Sequence, residues 1–341
     1  MTTLVTGATG FLGSHVARLL VERGQQVRVL VRAGREGGHL DGLPVERVTG
    51  DLRDAASLVR AAEGVETVYH VAADYRLWAR NPQEIYESNV TGTRNLLQAA
   101  HNAGVKRFVY TSTVATVAVP QGDSLPDERT ATSLGQMIGH YKRSKWLAEQ
   151  EALGAARAGM AVVIVNPTTP VGPGDAKPTP TGRTIVDFLN GRMPAYVETG
   201  LNWVAVEDAA AGHLLAAERG IAGERYILGG ENLSLKQVLD MLASVSDRPA
   251  PEIRLPHAVA LAAGYTEAAI SRLLGREPRI PLEGVRMARH SMFVDAGKAR
   301  RELGFAPGPV AAALERAVRW YQVNGYTGVG RVAGAAQAHA V

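Results

Sequence analysis

The 341-residue sequence contains no cysteine, which excludes disulfides, thiolate metal sites and cysteine nucleophiles and suits a reducing compartment. It lacks any run near the roughly 20 apolar residues of a membrane-spanning helix; the stretch AVALAAG at 258–264 is far too short. No block of like charge interrupts it. Its 37 basic and 33 acidic residues are interspersed, for a net charge of +4 and a pI near 9.4. That balance gives weak attraction to anions, not a nucleic-acid surface. The nine histidines show no HExxH-like pairing, so no metal is expected. The opening MTTLVTGATGFLG has no basic region, and glycines break its apolar run. It therefore does not read as a signal peptide, and a cytoplasmic protein without stable membrane insertion is expected.

What is present is enough apolar residue, 46%, to bury a large core in one large or two fused units. Short β-rich runs alternate with helical patterns: TLVT then 11–23, QVRVLVR, VERVTGD then 54–63, TVYHVAA then 84–103, RFVYTST then 140–158, and AVVIVNP. Strands apolar enough to be buried on both faces and separated by helices predict an α/β fold with a doubly wound parallel sheet. Past about 170 the rhythm loosens through the Pro- and Gly-rich NPTTPVGPGDAKPTPTG. Helices are expected at 184–191, 207–219, 234–245, 257–274 and 310–322, with RYILGG as a strand. The expected division is a dinucleotide-binding domain over 1–170, a smaller mixed α/β substrate-binding region over 171–326 with segments returning to the first core, and a frayed tail over 327–341.

Gly7-Ala8-Thr9-Gly10-Phe11-Leu12-Gly13 follows the first strand and opens a helix. Glycines there let the backbone approach a pyrophosphate, and the helix N-terminus offers it free N–H groups. At the end of the second strand, where a carboxylate would accept from the ribose of NAD, the chain has Arg32, with Arg35 nearby. Arginine cannot accept those bonds but can hold a 2′-phosphate, so NADP(H) is favoured over NAD(H). Asp51 and Leu52 end the third strand, where they could meet the adenine; Asp51 could equally be a helix N-cap. His70-Val71-Ala72-Ala73 ends the fourth with small residues that leave room. Tyr141 and Lys145, four apart in HYKRSKWLAE, share a helix face while Lys142 points elsewhere. That pair is either a solvated surface or an acid beside a cation.

The glycine loop, GDLRD, HVAA, NVTGTRNLL, a hydroxyl after the fifth strand and YxxxK, in this order from residue 2 to about 320, resemble the extended short-chain dehydrogenase/reductase superfamily. More narrowly, VAADYRLWARNPQEIYESNVTGTRNLLQAA and the stretch from Asn166 to Val204 resemble hopanoid-associated sugar epimerases. The resemblance implies a Rossmann fold and makes Tyr141 the proton-transferring acid, with Lys145 lowering its pKa and binding the nicotinamide ribose. It aligns Thr113 with the family's serine, a change that keeps the donor and acceptor set; Ser112 competes for that place. Asn89 matches the family's asparagine behind Lys145. Pro167 and Thr168 fall to the cofactor. Near the carboxyl ends of the strands, Tyr75, Trp78, Asn166, Arg183, Tyr196 and Trp203 are candidates for the small-molecule substrate. Trp78 and Trp203 are equally readable as core or interface packing, and Arg183 as a solvated surface charge. The resemblance also implies a homodimer through 84–103 and 140–158.

The leading expectation is a sugar epimerase-like enzyme. The VATVAV that follows Thr113 resembles dihydroflavonol reductases instead, making an NADPH-dependent carbonyl reductase the alternative. A non-catalytic NADP-sensing protein is the second alternative.

Overall fold

The computed structural model describes residues 2–34, 37–119, 124–274, 278 and 282–327. Strand β1 (Thr2–Thr6) leads into α1 (Phe11–Glu22), then β2 (Gln26–Val31), β3 (Glu46–Thr49), α2 (Ala55–Ala62) and β4 (Val65–His70). Next come α3 (Gln83–Tyr86), a π-helical turn (Glu87–Thr91), α4 (Gly92–Asn102), β5 (Arg107–Thr111), α5 (Gly139–Arg157) and β6 (Val162–Pro167). The chain continues through β7 (Thr169–Val171), α6 (Pro180–Leu189), β8 (Ala195–Val197), β9 (Gly200–Ala205), α7 (Val206–Arg219), β10 (Arg225–Leu228) and β11 (Glu231–Ser234). Last are α8 (Leu235–Ser244), β12 (Ile253–Leu255), α9 (His257–Leu273), α10 (Leu282–Met287), α11 (Gly297–Leu303) and α12 (Val310–Val323).

Seven strands form one sheet in the order β10-β6-β5-β4-β1-β2-β3, every neighbouring pair parallel. Side chains alternate between its faces with the strand period of two. Val5, Val29, Val109 and Val163 enter the core shared with α1 and α7, while Leu4, Leu30, Phe108 and Ile164 enter the one shared with α2, α4 and α5. This is the Rossmann-type α/β architecture that the strand and helix pattern predicts.

A smaller layer collects the later elements. It holds a three-stranded sheet β11-β9-β7 and a β12-β8 pair, packed around Ile185, Phe188, Trp203, Leu239 and Leu314. Helix α6 starts at Pro180, before the predicted 184, because the Thr179 hydroxyl accepts from Gly182 N at 3.1 Å and proline suits the first helical position. The predicted helix 84–103 is interrupted by the π turn, which inserts one residue's worth of slack at Asn89.

Candidate active site

The strand order reverses between β1 and β4, and their carboxyl ends, Thr6 and His70, open the crevice where ligands of such sheets sit. Gly7 has φ of +75°, and a Cβ there would lie 2.6 Å from Ala72 N. Only glycine lets the loop pass this close to Val71 and Ala72, with Ala73 next in the chain. A Cβ at Gly13 would fall 2.2 Å from Gly7 O, so this glycine lets α1 seat on the loop. Gly10 caps α1 without any side-chain hydrogen bond. The first-turn N–H groups around Thr9, Phe11 and Leu12 are thereby left to a ligand. The cradle fits a dinucleotide pyrophosphate.

Arg32 follows β2 and lines a cavity of about 500 Å³ together with Asp51 and Arg60. Arg60 went unrecognised in the sequence because it lies inside α2, away from the glycine motif. Arg35 lies outside the described residues. Asp51 is not the cap of α2; Asp54 is, accepting from Ala56 N. The Asp51 carboxylate instead pairs with Arg53 at 2.8 Å, which holds it down to about 2. Leu52 packs on Gly92 of α4, leaving it as the apolar floor beside Asp51.

Thr113 leaves β5 and caps the short turn Val114–Thr116. Its hydroxyl lies near enough to the Tyr141 phenol to lower the phenol's pKa, against a stronger upward push from burial. Ser112, the competing hydroxyl, is buried and donates to Glu149, so it is turned away. Lys145 is buried one turn after Tyr141 and donates to Tyr110 Oη at 2.9 Å and to Thr111 O at 2.7 Å. Loss of solvent brings the Lys145 ammonium down to about 7, opposed by the nearby Glu149 carboxylate. Asn89 bonds Asp74 O at 2.8 Å and the Ser144 hydroxyl at 2.9 Å, which fixes the residue just before Lys145.

Two networks were not foreseen. Glu149, at 1% exposure, accepts from Thr116 Oγ1 at 2.9 Å and Asn166 Nδ2 at 3.0 Å and pairs with Arg225 at 3.3 Å. Its signal was available: 141, 145 and 149 repeat at i+4 on one helix face. His70 bridges the Thr6 and Thr93 hydroxyls at 2.7 and 2.9 Å.

The expected substrate residues divide. Tyr75 and Trp78 are exposed on the segment after β4, and the Arg183 charge on α6 reaches the Tyr75 phenol. Tyr196 packs at the edge of the smaller core. Asn166 and Trp203 are buried, Trp203 in keeping with the core-packing alternative. Asn166 is fully buried beneath Thr113, donating to Thr113 O at 3.0 Å, because its place on central β6 faces the interior. Trp203 is 2% exposed inside the smaller core, because β9 runs between β7 and β11. Pro167 and Thr168 are buried at the end of β6, with the Thr168 hydroxyl on Leu228 O at 3.3 Å. A larger opening of about 830 Å³, bordered by Asp127, Arg129 and Arg300, includes none of Thr113, Tyr141 or Lys145 and so stands apart from the chemistry.

A model of the NAD dependent epimerase/dehydratase family matches residues 3–229. The chain belongs to this family. It is 47% identical, over 94% of its length and 95% of the relative's, to a Synechocystis protein named for dihydroflavonol 4-reductase. It is 40% identical to sterol demethylase protein B of Methylococcus capsulatus, over 95% of this chain and 99% of that one. The structure of a nucleoside-diphosphate-sugar epimerase from Pseudomonas aeruginosa superposes with a TM-score of 0.80 at 31% identity, covering 96% of this chain and 99% of that one.

As a member of the epimerase/dehydratase family, the protein is an NAD(P)-dependent oxidoreductase or epimerase of the extended short-chain dehydrogenase/reductase type. A bound nicotinamide dinucleotide would supply the hydride acceptor or donor. Around it the protein's own groups have separable tasks. The glycine loop is shaped to take a phosphate, and the Thr113 hydroxyl and Tyr141 phenol are groups able to bind a substrate oxygen and exchange a proton with it. The Lys145 ammonium favours the phenolate electrostatically.

Proposed function

We propose that the enzyme is an NADPH-dependent carbonyl reductase that delivers hydride once to a ketone of an apolar molecule while Tyr141 protonates the new alkoxide. The observation that carries this reading is the pair of guanidinium groups, Arg32 and Arg60, on one cavity whose two carboxylates are already engaged, Asp51 with Arg53 and Asp54 with Ala56 N. Two fork-shaped cations suit a ribose 2′-phosphate and offer no acceptor to a ribose diol. NADPH is the usual cellular reductant, so the cofactor choice favours net reduction. The full-length relatives point the same way: one is named for reduction of a dihydroflavonol, the other for a sterol reaction. Thr113, Tyr141 and Lys145 carry the chemistry, Asn89 positions them, and Tyr75, Trp78 and Arg183 face the substrate.

The second reading is epimerisation of a sugar or sugar nucleotide, in which hydride leaves and returns and nothing is consumed. The Pseudomonas epimerase, at 31% identity, favours it. Incubating the protein with NADPH and, separately, dihydroflavonols, sterol ketones and nucleoside-diphosphate sugars distinguishes the two. Loss of NADPH absorbance with alcohol formation supports reduction; isomer exchange at constant absorbance sinks it. A homodimer through α4 and α5 accompanies either reading, and a light-scattering mass equal to one chain would count against it.

A further inference from the structure

Helix α9 is built with its apolar side outward. Its buried residues are Gly264 and Ser271, and Gly264 seats against Leu282 and Val285 of α10. At about 100° per residue, Val259, Tyr265, Ile270 and Leu273, with the alanines between them, sweep roughly half of its circumference. All four are exposed, Leu273 at 88%, and the following Leu274 is exposed at 63%. No charged residue stands on this sweep, and its two hydroxyls are engaged, Thr266 donating to Ala262 O at 2.9 Å and Tyr265 accepting from Arg286 at 2.9 Å. An amphipathic helix packed on a soluble core shows the reverse arrangement.

The rim is cationic. Arg272 stands at the edge of the sweep, Arg286 and Arg289 on the neighbouring α10 segment, and Arg254 on the strand leading in, all exposed. Arg254 pairs with Glu198 at 3.2 Å, and Arg286 donates to Tyr265 Oη at 2.9 Å. Of the acidic groups nearby, Glu283 is turned inward against Gly139 and Glu267 accepts from the Ser271 hydroxyl, while Glu252 is exposed. An apolar half-cylinder edged by arginine matches the boundary between acyl chains and anionic headgroups. At 17 residues the helix is too short to span a bilayer. Among the described residues no helix is long and apolar enough to cross one.

We propose that α9 docks the protein in the plane of an anionic lipid surface. Glu283 of α10 abuts Gly139, at the start of the helix that carries Tyr141. The docked face is thus one helix away from the site, and an apolar substrate could pass from the lipid without crossing water. That passage rests on the reductase reading; the docking itself does not.

Flotation of the full chain with vesicles tests it. Wild type should float with phosphatidylcholine–phosphatidylglycerol vesicles at least about tenfold more than with phosphatidylcholine alone. Ile270→Glu with Leu273→Glu should cut that binding by at least about tenfold, as should the milder Leu273→Ser in part, at unchanged melting temperature. Val323→Glu, on a similarly exposed residue of α12, should bind as wild type does. Failure of wild type to float, or equal flotation of wild type and the double variant, overturns the proposal. So does a halved light-scattering mass in the double variant without vesicle binding by wild type, which would assign the face to a second copy.

Discussion

Tyr141 and Lys145 have opposite problems of solvation. Burial raises the Tyr141 phenol and lowers the Lys145 ammonium to about 7; each disfavours its own charged form, and bringing the two charges together relieves both. Tyr141→Phe should therefore leave folding and cofactor binding nearly unchanged and lower turnover by at least about 100-fold, read by melting, titration with NADPH and steady-state rates. Lys145→Met should weaken NADPH binding as well and move the basic limb of the pH-rate profile upward, because the phenolate loses its cation. Glu149 makes a different prediction. Glu149→Ala strips the buried partner from Arg225 and from the Ser112, Thr116 and Asn166 donors, and denaturant unfolding should show a loss of about 3–5 kcal/mol. The spacing of Tyr141 and Lys145 was legible in the sequence because reactive residue types stand at a helical interval. Tyr110 was not, since an aromatic in a strand looks ordinary until the fold buries it; Glu149 continues the same i+4 series, but only its burial shows that it anchors a network.

At the scale of elements, the glycine loop was readable because each glycine answers a steric demand that can be anticipated from a strand-loop-helix pattern. Gly7→Ala must hold a Cβ at φ of +75° and against Ala72 N; a loss of about 1–3 kcal/mol on unfolding and weakened NADPH binding are expected, measured by denaturant melts and calorimetry. Most long helices fell close to their predicted bounds, since their apolar periodicity is strong. The π turn at Glu87–Thr91 did not, because nothing local in ESNVT distinguishes a helix from one with an inserted residue; the bonds of Asn89 to Asp74 and Ser144 hold it. The short strands β7, β8, β11 and β12 also escaped, being three or four residues each and dependent on partners distant in sequence.

For the whole molecule, burial of neutral histidine sets the acid limit of stability. Burial carries His70 down to about 3, with the Lys145 charge adding to the effect, and His213 down to about 4. Both folded values lie below the unfolded 6.5, so the unfolded chain binds more protons between them. Stability is full above 6.5 and falls as pH drops toward 4, by an amount on the order of a few kcal/mol. The carboxyls of Glu128, Asp175 and Glu283, pushed up by burial, oppose the trend and limit it. Chemical melts at stepped pH check the slope, and His213→Gln should flatten it. The doubly wound sheet was legible at this scale from alternation alone; a smaller mixed α/β region after 170 was expected too, but not the strand pairing inside it, which joins segments across long intervals.

In the proposed reduction, hydride leaves the cofactor for the substrate and stays there. Deuterium placed on the transferring carbon of NADPH tests this most directly, with the ketone that the turnover screen identifies. One deuterium is expected at the carbinol carbon of the alcohol per NADPH oxidised, and with Tyr141→Phe the label should stay on the cofactor for at least about 100-fold longer. Interconversion of sugar isomers with the label still on the cofactor and no net oxidation would contradict it.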